Sequence, residues 1–72
     1  MDPPSKNVSI IDQYLTFALD HIYEGRFDLA VQECEIVLIL QPRNVMALKR
    51  LGSAYYATGK RGKAQEAWGK AL

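Results

Sequence analysis

Leu48-Lys49-Arg50-Leu51-Gly52-Ser53-Ala54-Tyr55, followed by Gly59, Ala64 and Trp68, is the stretch that decides the fold. It repeats a pattern already written 34 residues earlier, as Tyr14-Leu15-Thr16-Phe17-Ala18-Leu19-Asp20-His21 with Gly25, Ala30 and Cys34. Few residues are identical between the copies, chiefly glycine, alanine and a later leucine (Leu38 and Leu72), yet size and polarity agree at nearly every marked place. A fixed period of this length marks a repeat architecture, which builds extended binding surfaces rather than catalytic pockets.

Within each copy the apolar spacing is helical. Tyr14, Phe17, Ala18 and His21 fall at i, i+3, i+4 and i+7, which predicts a helix from about Ile10 to Glu24, with Ser9 as its N-cap and Gly25 as its stop. A second helix follows from about Phe27 to Leu40 and ends at Gln41-Pro42, because proline cannot continue the hydrogen-bond ladder. Asn44 then caps a third, from about Val45 to Thr58, closed by Gly59. A fourth runs from near Arg61 to the end; Lys60, Arg61 and Lys63 crowd its positive pole and Gly62 adds backbone entropy, so its start is expected to fray. No strand-length alternation occurs. The expectation is an all-α chain of two stacked antiparallel helix hairpins: residues 1–9 a disordered or extended lead, 10–72 one domain, with repeats at about 11–44 and 45–72.

These residues resemble the tetratricopeptide repeat, whose 34-residue pattern runs large residue, Leu-Gly, Tyr, Ala, aromatic, Pro. The second copy matches at Leu48, Leu51-Gly52, Tyr55, Ala64, Trp68 and Ala71, and the first, with substitutions, at Tyr14, Phe17-Ala18, His21, Ala30, Cys34 and Pro42. The resemblance implies a right-handed superhelical segment, a scaffold or adaptor role in protein–protein interaction, and a groove lined by the first helix of each repeat. Carried onto this chain, the groove is Asp12, Leu15, Leu19, Ile22, Tyr23, Met46, Lys49, Ser53 and Tyr56. Such arrays need about three repeats for stability. Here the second copy stops at Leu72, where the first still has Ile39-Leu40-Gln41-Pro42 to come, so the chain reads as a piece of a longer array or as one that completes its core with another copy of itself.

The surplus of apolar residues points the same way. Leu15, Leu19, Ile22 and Tyr23 add a second stripe to the first helix, making it apolar nearly all round. Either an adjoining repeat covers it, or it serves self-association or a separate apolar peptide or helix. Ile36 and Ile39 extend the surplus on the second helix; the simpler expectation is burial against the third helix, and otherwise they join Leu15, Leu19 and Ile22 as a self-association surface.

Charge divides the copies. Residues 1–42 carry seven acids and two bases, a balance of −5, and residues 43–72 seven bases and one acid, +6. Opposite fields steer association between copies. The basic cluster Arg43, Lys49, Arg50, Lys60, Arg61, Lys63 and Lys70 lacks a nucleic-acid motif, which makes nucleic acid the remote alternative. Arg50 and Lys49 alone are too few to predict a carboxylate clamp. His21 and the single cysteine, Cys34, both lie on the core stripe and read as packing residues. No acid–base pair, phosphate loop or metal constellation accompanies them, so neither an enzyme nor a cofactor or metal is expected. The longest apolar run, Ile36 to Leu40, is far short of a membrane span and Met1–Asn7 has no apolar signal core; the compartment stays open, with the cytoplasm as the default.

Overall fold

The computed structural model describes residues 6–72 as four α-helices: α1 (Lys6–Tyr23), α2 (Phe27–Leu40), α3 (Val45–Ala57) and α4 (Arg61–Ala71). Each helix packs on the next, and α1 also reaches α3, so the chain forms two stacked antiparallel hairpins in a slab of 43 × 26 × 15 Å. Of the expected extended lead, residues 1–5 lie outside the described residues, and residues 6–9 are helical instead. No proline or glycine stands between Lys6 and the apolar stripe, so nothing stops α1 from extending back through Ser9. Ser9 is therefore a helix-interior position and not the N-cap.

The two hairpin turns share one mechanism. Gly25 and Gly59 take φ of +78° and +81°, the left-handed region that side chains resist. At the first turn the Gly25 N–H donates to the Ile22 carbonyl at 3.1 Å and Arg26 to His21 at 2.7 Å; at the second, Gly59 donates to Tyr56 at 3.0 Å and Lys60 to Tyr55 at 2.8 Å. This doubled bond pattern satisfies carbonyls that a helix end otherwise leaves bare. The α2–α3 corner is built differently. The Gln41 N–H closes α2 on the Val37 carbonyl at 2.7 Å, Pro42 prevents continuation, and the Asn44 side chain accepts from the Ala47 N–H at 2.8 Å to start α3. Neither Arg26 nor Lys60 offers a side-chain cap to α2 and α4; α2 has Asp28 in its first turn, whereas α4 has no acid there.

The core runs through the junction of the hairpins. Ala18, Ala30, Cys34, Leu51, Ala54 and Ala67 form one buried cluster, and Ile11, Val37 and Ala47 form a second. Small residues predominate because helix backbones approach closely here, and bulkier neighbours (Ile22, Phe27, Leu38, Tyr55) close the margins. The closest approach is at Gly52, where a Cβ would collide with the indole of Trp68.

Candidate protein-interaction surface

The 34-residue register allows each residue of the first hairpin to be compared with its counterpart in the second. Leu51 is 8% exposed, while Phe17, its counterpart, is 46% exposed. Leu48 is buried and Tyr14 is half-buried. The difference is one of neighbours: α3 lies against α2, and no described helix lies on the corresponding face of α1. The chemistry of that face differs accordingly. Where α3 places Ala47 and Ala54, both fully buried, α1 carries the exposed Gln13 and Asp20.

The outer face of the first hairpin is nonetheless apolar. The His21 Nδ1 and Glu33 Oε1 lie 2.6 Å apart and pin α1 to α2. One to three turns along from this pair the antiparallel helices bring up Phe17, Tyr14 and Ile10 from α1 and Ile36 and Leu40 from α2. Tyr14 and Phe17 meet edge to face, with ring centroids 6.1 Å apart. Leu29 and Ile36, both exposed on α2, correspond to Lys63 and Lys70 on α4, so this apolar surface belongs to the first hairpin alone. The expectation that α3 buries Ile36 and Ile39 is corrected: they are 37% and 79% exposed. Cys34 and Val37 face the hairpin junction, and a residue two places further round the helix from either is turned roughly 200° away from it.

The residues expected to line one groove are distributed among three settings. Leu15 and Ile22 are half-buried and pack against the two core clusters, so the second hairpin itself covers much of the surplus stripe of α1. Asp12, Tyr23 and Met46 are exposed, and Leu19 is half-buried. Lys49 and Tyr56 stand on the flank of α3 turned away from α2, one turn on either side of Ser53. Lys49 and Ser53 join Trp68, Ala71 and Leu72 around a shallow depression of ≈ 400 Å³ at the free end of the second hairpin.

Trp68 is the residue that the sequence pattern places wrongly. The 34-residue register aligns it with the fully buried Cys34, yet it is 37% exposed. Its indole lies across Gly52, donates from Nε1 to the Lys49 carbonyl at 3.3 Å and packs on Tyr56 with centroids 5.7 Å apart. The counterpart carbonyl in the first hairpin, on Leu15, accepts instead from Arg50 Nη1 at 2.7 Å. Arg50 thus ties α3 to α1 and is not a free carboxylate ligand.

The remaining basic residues are partly engaged within the chain. Lys70 pairs with Glu66 at 3.6 Å, and Lys60 and Lys63 hold their ammonium groups 5.9 and 5.5 Å from the Tyr55 ring centroid. Burial, with Glu35, Cys34 and Glu66 adding to it, raises the pKa of that tyrosine above its usual value. Burial also pushes the Cys34 thiol up to about 11, against the opposing pull of Arg50 and with help from Glu33 and Glu35. A thiol held protonated and enclosed is a poor nucleophile. Among the described residues no group of acids, histidines and cysteine could hold a metal ion, and no helix is long and apolar enough to cross a membrane.

Comparison of the chain with protein-family models, with curated proteins and with solved structures gives no match.

Proposed function

We propose that this chain is a non-catalytic protein–protein interaction module of the tetratricopeptide-repeat kind, a scaffold or adaptor piece whose exposed helix faces join copies of itself or further repeats. The observation that supports this reading is the outer face of the first hairpin. Phe17, Ile36, Leu40 and Ile10 are exposed together there, although the register counterpart of Phe17 is buried by a neighbouring helix. Exposed apolar side chains grouped on one face favour a surface that meets another protein. The period, the two glycine turns and the small-residue core are the features of a repeat whose units bury their faces by stacking.

Sedimentation equilibrium over a wide concentration range tests the self-association. The weight-average mass is expected to rise with concentration above the 8.1 kDa of a single chain. A folded, cooperatively melting species that stays monomeric throughout would remove self-association and leave recognition of a different protein as the role of the patch.

A further inference from the structure

The two ends of the slab are the two halves of a joint that the chain already makes once in its middle. At that middle joint, Ala47, Leu51 and Ala54 of α3 seat on a face that includes Cys34 and Val37. The outer face of α1 carries Phe17 in the same register as Leu51. The free end of the second hairpin carries Trp68 and Ala71 in the same register as Cys34 and Val37, around the depression of ≈ 400 Å³. Both halves are uncovered among the described residues. Resting on the interaction-module reading above, we propose that the outer face of the first hairpin docks against the free end of the second hairpin of another copy, head to tail.

Charge selects this arrangement over its rivals. Residues 1–42 hold a balance of −5 and residues 43–72 one of +6. A two-fold dimer through either end sets like fields against each other, whereas head-to-tail contact sets opposite fields together. The detail agrees with the gross balance. Relative to the middle joint, the incoming side replaces Ala54 by Asp20, and the receiving side replaces Leu15 by Lys49 and Cys34 by Trp68. A carboxylate has entered on one side, and a cation with a flat aromatic on the other. The contact between copies is therefore not a simple continuation of the α2–α3 register. Asp20 could not occupy the enclosed place of Ala54 without losing its hydration, so the incoming helix seats displaced toward Lys49. Such an interface is heterologous: each open assembly keeps one free end of each kind, so growth continues past the dimer until the assembly closes on itself.

Two variants, each blocking one end, test the geometry. Phe17→Lys puts a cation on the outer face of the first hairpin, and Tyr56→Lys adds one beside Trp68 at the other end; both positions are exposed, so the fold should tolerate them. Wild type is expected to grow with concentration without a plateau at the dimer. Its association should weaken as salt is raised from low ionic strength to about 0.5 M, where the Debye length falls to roughly 4 Å. Each variant alone should lose association and sediment as a monomer. Their equimolar mixture should form a 1:1 heterodimer, capped at both outer ends. If the mixture stays monomeric, or if one variant abolishes association while the other leaves a dimer, the head-to-tail joint is wrong although self-association stands. If wild-type assembly ignores salt, the charge-matched joint is wrong. A wild type that never associates overturns both. Circular dichroism checks that the variants are folded; Ile36→Lys and Ser53→Lys, at exposed positions on the same two ends, replace either variant that is not.

Discussion

Gly52→Ala should destabilise the protein, and should do so through one neighbour. Alanine in a helix is ordinarily about 1 kcal/mol better than glycine, so propensity alone predicts a gain. At Gly52 the added methyl collides with Nε1, Cδ1 and Cε2 of Trp68, atoms of a rigid ring with only two side-chain torsions. Forcing the ring away costs about 1–3 kcal/mol of overpacking strain and repacking. It also breaks the Nε1 bond to the Lys49 carbonyl, with a net loss of about 0.5–1.5 kcal/mol. The balance is a loss of about 2 kcal/mol, a fall in melting midpoint of about 8–16 °C for a domain of this size. In a Trp68→Ala background the obstacle is gone, and the same substitution should stabilise by about 1 kcal/mol, which makes the coupling between the positions about 3 kcal/mol. Urea melts followed by far-UV circular dichroism, with all four proteins in the same stabilising osmolyte, give the cycle. Because Trp68 is the only tryptophan, its emission should shift to the red in Gly52→Ala as the ring swings into water. An effect of equal size with and without Trp68, or a stabilised single variant with unchanged emission, would refute the reasoning.

Gly62→Ala is the matching control: nothing lies within 4 Å of its missing Cβ, so it should stabilise by about 0.5–1 kcal/mol and slow amide exchange in the first turn of α4. Arg50→Met keeps the length of the side chain but removes the 2.7 Å donor to the Leu15 carbonyl; a loss of about 1 kcal/mol is expected in the same melts, and a neutral result would show that the α1–α3 tie carries no stability. Alkaline pH should weaken the fold. Burial raises the Cys34 thiol from 9.0 to about 11, so the unfolded chain releases its proton first and stability falls as pH climbs through that window, with Tyr55 adding to the decline from about 10. Urea midpoints from pH 7 upward should show a shallower decline in Cys34→Ala, and an identical slope would mean that the thiol is not enclosed.

The asymmetry between the hairpins explains why one chain can carry a repeated core and two unlike ends. The repeated positions are those that touch a neighbouring helix inside the stack, where shape is dictated from both sides. Residues at the ends meet no described helix on one side, and there the copies differ: Phe17 and Asp20 at one end, Trp68 and Lys49 at the other.

The local structure was legible in the sequence by itself. Helical spacing, the glycine stops at Gly25 and Gly59, the Asn44 cap and the break at Pro42 each act within a turn or two of chain, so a linear string contains all the atoms involved. The period added the stacking order, and with it the core positions Ala18, Ala30, Leu51 and Ala64. Ser9 is not the helix start, because no proline or glycine stands between Lys6 and Ser9 to interrupt the helix there. Which face of each helix is covered was beyond the string. Leu15 and Ile22 form an apolar stripe that packs against the core clusters, whereas Ile36 and Ile39 stay exposed because α3 seats on the Cys34 and Val37 face of α2. Arg50 reaching Leu15 and Trp68 reaching Lys49 join residues 35 and 19 positions apart through side chains whose direction no periodicity records. Periodicity dictates that a face is apolar; only the packing of whole helices decides whether water or protein meets it.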